Sequence, residues 1–484
     1  MPSTINQTNN YHIELSTVTV GDFLNAIQNS EIHIPQQMRG LVLTLEYLEG
    51  GNFSDNTALF LASKQVVSCA NQIMEQISPL LGRLIATKYF SFPPLTNAAV
   101  AKQLEVNEPK FYRLQKVAIA KLTNLINEQE KCIRSKHLQE MLYRLDSKVD
   151  AQNMIRRESI SHALANGILK PDGLPVFVVS GIGGIGKSTL VEQGLTQVIN
   201  TFAFNRFVRI NTVNGSLRKE SFLRQAYDQL MHQTGKELSL NEIEHQVLNI
   251  LKTLPCLIFI DGIEQNLEDL ITLIFRFVVP SKFVVTSREE PTATSSKMRH
   301  VQVPELSLKE VNELIQSEIA RLQSGLEVAA FADEELNRLY GLVGGNPLVI
   351  KLVVSLSNEM SRDEIFEDLA RLTHSDTVYM YMQIYWVLWK KLSGKSHHLL
   401  MALGLIDNTT LTQINIDWML KKLGTPLTKS NMRQAIRELK ICSLLTVSLD
   451  ETYPNIKYEI HSLTKLFIRE QIYKKPTFIE GGGT

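Results

Sequence analysis

The chain has 484 residues, a length that accommodates three or more domains of ordinary size. Hydrophobic residues make up 44% of it and charged residues 21%, as in soluble globular proteins. Fifty basic residues balance fifty acidic ones, so the net charge favours neither nucleic acid nor a membrane surface as a partner. The four cysteines lack the spacing of zinc ligands or of a disulfide framework, and no apolar run reaches the ~18 residues of a membrane span. We therefore expect a cytoplasmic protein without a membrane segment.

Residues 1–150 are predicted to form an all-helical region. Within it, a short helix over 97–104, a tight turn and a longer helix over 109–126 follow one another, which is the order of a helix-turn-helix. Four basic residues mark the longer helix: Lys110, Arg113, Lys116 and Lys121. Two interpretations stay open. The region is either an adaptor or effector that binds another protein, with its basic residues on a solvated face, or a DNA-binding region. A charged helical connector is predicted over 129–165.

The most informative stretch begins with a continuous apolar run from Val176 to Val179, which is typical of a strand buried on both faces. A helical pattern without proline follows from Thr189 to Ile199. Between the two, the chain matches the phosphate-binding loop G-x-x-x-x-G-K-[ST] with Gly181, Ile182, Gly183, Gly184, Ile185, Gly186, Lys187 and Ser188. A chance glycine-rich turn is disfavoured, because strand, loop and helix occur in the order that the motif requires.

The residue types of this loop suit a polyphosphate. Its glycines allow the backbone to curl so that successive N–H groups face the phosphates, and the helix that follows adds the positive end of its dipole. Lys187 is expected to reach the β and γ phosphates, and the Ser188 hydroxyl is expected to ligate Mg²⁺. The sequence therefore predicts a site for ADP or ATP with Mg²⁺.

Strands and helices alternate after the loop, which predicts a parallel sheet with helices on both faces and a nucleotide-binding domain over 151–305. One predicted strand, 255–261, ends in Asp261, where a P-loop hydrolase carries a second residue that faces the metal. The alternative is an acid that caps the next helix. Asp261 is thus a candidate for both metal binding and catalysis.

The neighbours of Asp261 predict slow ATP hydrolysis at most. Vigorous ATPases often place a glutamate directly after this aspartate to orient water, but Gly262 stands there, and the nearest candidate is Glu264. Glu264 has the alternative of belonging to the first turn of a helix. At the end of the strand 282–286, Arg288 is predicted to face the ligand crevice and to sense the γ-phosphate. Its alternative is a surface ion pair with Glu289 or Glu290.

The rest of the chain turns helical. A capping-box pattern opens it, with Ser307 followed three residues later by Glu310. We predict a helical domain over 306–375, a winged-helix domain over 376–475, and a flexible tail over 476–484. The winged helix is predicted from two helices followed by a β-hairpin over 444–460.

Taken together, these motifs resemble the NB-ARC class of STAND nucleotide switches, which occurs in plant disease-resistance proteins, apoptotic adaptors and many bacterial proteins. The likeness covers about residues 154–473, and its phrasing around residue 461 is closer to the bacterial members. Besides the phosphate-binding loop, it rests on five stretches: Arg156-Arg157-Glu158, Ile258–Asp261, Val285–Arg288, Gly345-Asn346-Pro347-Leu348 and Ile460-His461-Ser462. Three positions depart from the usual pattern: Arg156 and Ser462 replace a glycine and an aspartate, and Gly262 stands where a second aspartate is common.

The resemblance implies roles for residues far from the loop. Arg157 belongs to the motif at the entry of the domain, Pro347 would pack on the adenine, and His461 would contact the β-phosphate of ADP. Pro347 has the alternative of a first-turn helix proline, and His461 that of a core histidine. The implied function is a defence or signalling switch that is ADP-bound at rest, and ATP-bound and homo-oligomeric when active. A protein partner would then bind through residues 1–150. The alternative is a DNA-binding transcription regulator gated by the same switch, and a motor-like ATPase is disfavoured by Gly262.

Overall fold

In the computed structural model of the chain, the structure describes residues 14–48, 55–145, 155, 157–212, 215–231, 238–292, 296–322, 331–357, 360–370, 377–406, 413–449 and 456–473. Arg156 of the entry motif and the predicted tail over 476–484 lie outside these residues. No helix among the described residues is both long and apolar enough to cross a membrane.

The N-terminal region is helical, as predicted. Its elements are α1 (Thr17–Asn29), α2 (Gln36–Arg39), α3 (Val42–Glu46), α4 (Asn56–Ile77), α5 (Pro79–Tyr89), α6 (Asn97–Gln103) and α7 (Glu108–Leu145). The short helix α6, a turn and the longer helix α7 follow one another as the sequence indicates. Fully buried apolar side chains such as Phe23, Val67 and Leu122 hold this bundle together.

Helix α7 corrects the prediction of a helix that ends near residue 126. It is one continuous helix of 38 residues, so the first part of the predicted connector belongs to it. The sequence from 110 to 145 contains neither glycine nor proline, and nothing in it stops a helix. The second half of α7 packs against a strand and a helix of the next domain. Helix α7 also buries polar residues that a charged connector predicts to be exposed: Glu130, which accepts from the N–H groups of Val42 and Leu43, and His137.

The central domain is built on a five-stranded sheet in which every pair of neighbours is parallel. The strands are β1 (Val176–Ser180), β2 (Arg206–Asn211), β3 (Cys256–Ile263), β4 (Lys282–Ser287) and β5 (Met298–Gln302), in the order β2-β3-β4-β1-β5. The first four were predicted. The fifth was missed, because β5 pairs along one side only and its residues are largely exposed, so it lacks the apolar run of a central strand.

Helices cover both faces of this sheet, which confirms the predicted α/β class. They are α8 (Glu158–Leu169), α9 (Lys187–Asn200), α10 (Lys219–Met231), α11 (Leu240–Thr253) and α12 (Leu267–Ile274). Alternate residues of each strand point to opposite faces. On β1, Phe177 and Val179 join the core beneath α8 and α9, while Val176 and Val178 join the opposite core.

The last third of the chain is mostly helical and has a hydrophobic core of its own. It contains α13 (Leu308–Leu322), α14 (Asp333–Val343), α15 (Pro347–Leu356), α16 (Arg362–Ala370), α17 (Thr377–Lys391), α18 (Gly394–Leu405), α19 (Gln413–Lys422) and α20 (Lys429–Ile441). An antiparallel hairpin, β6 (Thr446–Leu449) and β7 (Ile456–Glu459), precedes α21 (Ser462–Phe467) and a π-helical turn (Ile468–Tyr473). Helices followed by a hairpin agree with the order expected of a winged helix. The domain boundaries given above stay predictions.

Candidate functional site

The predicted phosphate-binding loop lies at the carboxyl end of the central strand β1 and leads directly into α9. Two of its residues, Gly184 (φ 73°) and Gly186 (φ 92°), adopt left-handed backbone conformations that side chains other than glycine disfavour. Gly186 is also the N-cap of α9, so the loop presents its backbone at a helix N-terminus. The sequence motif therefore has the strand-loop-helix context that phosphate binding requires.

Lys187 folds back over the loop. Its ammonium donates to the carbonyl oxygens of Gly181 (2.8 Å) and Ile182 (3.0 Å). Burial and then the positive charge of Arg288 lower the pKa of Lys187 to about 8, so the side chain remains largely cationic at neutral pH. Phosphate oxygens are stronger acceptors than these carbonyls, and the ammonium is therefore in place to exchange one set of acceptors for the other.

Asp261 lies at the end of β3, next to the start of α9. Its Oδ1 accepts hydrogen bonds from the hydroxyls of Ser188 (2.7 Å) and Thr286 (2.6 Å), and its Oδ2 pairs with Arg209 (3.1 Å). The alternative of a helix cap is wrong, because Asn266 is the N-cap of α12. The two residues predicted to hold Mg²⁺, Ser188 and Asp261, are thus brought within hydrogen-bonding distance of each other.

The backbone at Gly262, directly after Asp261, adopts a conformation that favours glycine. Gly262 has a φ of 83°, its N–H donates to Thr286 Oγ1 (2.7 Å), and its carbonyl accepts from Thr212 Oγ1 (3.0 Å). A side chain in this left-handed conformation is strained. Glycine therefore fits the backbone at the position where a second aspartate is common in proteins that the chain resembles.

Glu264 and Arg288 form an ion pair of 2.7 Å (Oε1 to Nη2). The alternatives considered for both residues are wrong. Glu264 precedes the first turn of α12, and the neighbours of Arg288 are engaged elsewhere: Glu289 accepts from the N–H of Leu267 and Glu290 from Gln302. Because Arg288 also shifts the pKa of Lys187, the pair lies at the phosphate loop.

A small cavity of about 80 Å³ opens beside the loop. Its lining combines residues of the central domain with residues of the last third, among them Ile155, Arg157, Ile185, Thr189, Gln193 and Pro347. Arg157 is buried, and neither of its terminal nitrogens, Nη1 and Nη2, has a hydrogen-bond partner. A buried guanidinium without acceptors is costly, so the cavity suits a ligand that supplies oxygen or nitrogen acceptors. An apolar wall of Ile155, Ile185 and Pro347 suits the ring of a base.

The last third of the chain contacts the phosphate loop directly. The carbonyl of Gly183 accepts two hydrogen bonds, from Asn346 Nδ2 (3.0 Å) and from the buried hydroxyl of Tyr381 (2.7 Å). Leu348 packs so closely on Gly184 that an added Cβ there would lie 2.7 Å from it. Pro347 is the first residue of α15, in agreement with the alternative of a first-turn helix proline, and it also lines the cavity.

His461 caps α21 near the loop, with Nδ1 accepting the N–H of Leu463 (3.1 Å). Burial, together with the charges of Arg288 and Lys187, lowers the pKa of His461 to about 4. The ring is therefore neutral at physiological pH, and with Nδ1 acting as acceptor its proton is on Nε2. A neutral histidine with a free N–H donor suits a phosphate oxygen.

Two contacts at the site were missed by sequence reasoning. Tyr381 lies in an aromatic helix whose pattern indicates only core packing, and Arg209 lies within an ordinary strand. Asn346 belongs to a motif that was singled out for its neighbour Pro347. The role of its side-chain oxygen as a helix N-cap could be predicted from the sequence, but the bond from its Nδ2 to a loop 163 residues earlier could not.

Known proteins were compared with this chain by sequence and by structure. The family model of the NB-ARC domain matches residues 157–324. No curated protein matches. Among solved structures, a STAND protein with a tetratricopeptide repeat sensor from Pyrococcus horikoshii is 18% identical, with a TM-score of 0.42, over 66% of this chain and 42% of its own. This chain thus spans less than half the length of that protein.

Two further solved structures are similar. The Walker-type ATPase of Pyrococcus abyssi is 15% identical, with a TM-score of 0.33, over 65% of this chain and 96% of its own. Drosophila ORC, in a structure bound to DNA, is 15% identical, with a TM-score of 0.34, over 69% of this chain and 90% of its own. The P-loop and the parallel sheet agree with the family match, and residues 157–324 are an NB-ARC domain, a nucleotide-binding domain of the P-loop type.

Proposed function

We propose that this chain is a signalling switch controlled by ADP and ATP. In the ADP-bound state the last third of the chain closes on the nucleotide. In the ATP-bound state it is released, and the protein forms a homo-oligomer. Residues 1–150 would carry the signal to a protein partner. Hydrolysis is slow and resets the switch.

One observation supports this proposal above the others. Residues of the last third of the chain bind the phosphate loop, and together with residues of the central domain they line the cavity beside it. Gly183 accepts hydrogen bonds from Asn346 and Tyr381, and Pro347 forms one wall of the cavity opposite the unpartnered guanidinium of Arg157. A ligand in this cavity contacts both parts at once. It therefore binds the closed arrangement better than an open one, which is the condition for a ligand to shift a conformational equilibrium.

The residues in and around the loop suit the two halves of a nucleoside diphosphate, namely its phosphates and its nucleoside. The backbone N–H groups of the loop and Lys187 bind the β-phosphate, while Arg157 and the apolar wall hold the nucleoside. Ser188 and Asp261 would hold Mg²⁺, which would supply positive charge to neutralise the phosphates. The fit rests on the 2.7 Å contact between these two side chains at the edge of the sheet.

The γ-phosphate would act through Arg288 and His461. Both lie near Lys187: Arg288 lowers the pKa of Lys187, and the charges of Arg288 and Lys187 lower the pKa of His461. A γ-phosphate would attract Arg288 away from Glu264, while the neutral His461 donates from Nε2 to the β-phosphate in the ADP state. Turnover is expected to be slow, because Gly262 leaves no carboxylate directly after Asp261 to orient water.

The nucleotide that copurifies with the protein tests this function. After purification without added nucleotide, the protein is denatured and the supernatant is separated by anion-exchange chromatography. We expect close to one ADP per chain. A preparation that contains no nucleotide and binds neither ADP nor ATP in calorimetry would contradict the proposal.

A second candidate function is supported by the surface of α7. Lys110, Arg113 and Lys116 are exposed on its first half, and no acidic residue occurs from 109 to 127. A basic face on the second helix of a helix-turn-helix suits a DNA backbone. Fluorescence anisotropy with a labelled duplex, with ADP or ATP present, tests it. Binding that weakens with salt and is lost in the triple alanine variant of these residues would support the regulator; equal binding by the variant would exclude it.

A further inference from the structure

Arg209 lies beside the candidate metal site, and no motif accounts for it. It is part of β2, next to β3, which carries Asp261 two residues before its end. Its guanidinium stacks over the ring of Phe259 at 5.3 Å, and its side chain is largely buried. Packing on an aromatic ring fixes the plane of the guanidinium and thereby the directions of its donors.

One end of this guanidinium faces two carboxylates. Nη2 lies 3.1 Å from Asp261 Oδ2 and 3.0 Å from Glu192 Oε1, the latter on α9, the helix that follows the phosphate loop. Asp261 therefore has its two oxygens divided. Oδ2 is held by Arg209, and Oδ1 faces the hydroxyls of Ser188 and Thr286. Arg209 is in this way a positioning residue for the aspartate.

The other end of the guanidinium contacts a different domain. Nη1 donates to the carbonyl oxygen of Leu145, the last residue of α7. A cation is favourable at a helix C-terminus, where carbonyl groups lack partners within the helix. The neighbouring residue Arg144 donates to the carbonyl of Gln229 (2.9 Å) and attaches the same turn of α7 to the domain without contacting Asp261.

We propose that Arg209 couples the metal-dependent half of the nucleotide site to α7. A divalent cation held by Ser188 and Oδ1 of Asp261 would repel the guanidinium on Oδ2, because the two positive charges would share one carboxylate. The bond from Nη1 to Leu145 changes with it, since one rigid planar group makes both contacts. Helix α7 begins in the N-terminal region, so a change at its last turn reaches the segment proposed to bind the partner.

This inference rests on the proposed nucleotide site, and its test separates the two. Hydrogen–deuterium exchange is measured for peptides covering residues 138–145 in full-length protein, with ADP plus EDTA and with Mg²⁺ plus a slowly hydrolysed ATP analogue. Nucleotide binding is confirmed in each sample by calorimetry. We expect the last turn of α7 to exchange roughly fivefold faster or more in the Mg²⁺–triphosphate state.

Arg209→Met keeps an aliphatic side chain and removes the guanidinium, whose two terminal nitrogens form a fork of donors. It is expected to bind nucleotide in both conditions and to show no difference in exchange between them. Arg209→Lys retains the charge but not the fork, and the same loss is expected; it replaces the methionine variant if that one does not fold. The matched control is Arg144→Met, in which α7 exchanges faster in both states while the difference between the states persists.

The outcomes are distinct. If the wild type binds nucleotide but shows no difference at residues 138–145, or if an Arg209 variant retains the wild-type difference, the coupling is overturned and the nucleotide site stands. If the wild type binds no nucleotide in either condition, the proposed function falls, and the coupling falls with it.

Discussion

The hydroxyl of Tyr381 donates a hydrogen bond of 2.7 Å to the carbonyl of Gly183, a residue 198 positions earlier in the chain. This bond joins a buried helix of the last third to the centre of the phosphate loop. Burial raises the pKa of Tyr381 far above its usual value, so the group stays a protonated donor. The closed arrangement therefore has a contact that does not depend on the nucleotide.

Tyr381→Phe is expected to loosen the closed state without changing any residue that would contact nucleotide. Losing the donor costs about 1 kcal/mol, or roughly a fivefold faster release of ADP. Release is measured by stopped-flow displacement of a fluorescent ADP. Tyr385→Phe is the matched control, because its hydroxyl bonds with Thr464 and not with the loop. Equal effects of the two variants would contradict a specific role for Tyr381.

Lys187→Ala should abolish nucleotide binding, since it removes the cation that neutralises the β and γ phosphates. The purified variant should contain no ADP, and its melting temperature should no longer rise when ADP is added. A ligand at 100 times its Kd stabilises a protein by about 2.7 kcal/mol, so the missing shift is measurable. Wild-type ADP content in this variant would show that the site has been assigned to the wrong residues.

Asp261→Asn should weaken ATP binding in Mg²⁺ more than ADP binding in EDTA. The amide retains one oxygen for Ser188 and Thr286 but loses the negative charge that a metal needs. Calorimetric titrations with each nucleotide, with and without Mg²⁺, measure the difference. An equal loss for both nucleotides would assign Asp261 to structure alone.

His461→Ala should release the last third of the chain while leaving the phosphate loop intact. The loss of a hydrogen bond to a charged phosphate is expected to cost about 1–3 kcal/mol and to favour the open state by roughly ten- to a hundredfold. We expect faster ADP release and a larger assembly with ATP, the reverse of the Lys187 variant. Size-exclusion chromatography with light scattering decides this. An off-rate and a mass equal to the wild type would leave His461 a packing residue.

The depressed pKa of His461 also predicts a pH dependence of stability. Its pKa is about 4 in the folded chain and about 6.5 when unfolded, so between these values the unfolded state binds more protons. The free energy of unfolding is therefore unaffected by this group above pH 6.5. It decreases as the pH falls towards 4, by about 3 kcal/mol at most. Denaturant titrations at pH 7 and pH 5 should show a smaller loss of stability in His461→Gln than in the wild type. An identical loss in both would contradict the assignment.

The sequence by itself determined the local parts of the site. The order of strand, glycine loop and helix placed Gly181–Ser188, and apolar runs predicted four of the five strands, because a strand buried on both faces leaves an unbroken signal. The acid at the end of β3 followed from the same reasoning. An exposed edge strand and a helix that runs from one domain onto another leave no such signal, and both β5 and the full length of α7 were missed.

Only the tertiary structure decided which distant residues meet. The partners of Asp261 and Gly183, namely Arg209 and Tyr381, come from positions whose local pattern is that of an ordinary strand and an ordinary core helix. The same holds for Arg288, whose partner proved to be Glu264 rather than either acid next to it in sequence. Periodicity reports which face of an element is buried, whereas these pairings depend on how the sheet and the helices of the last third pack together in space.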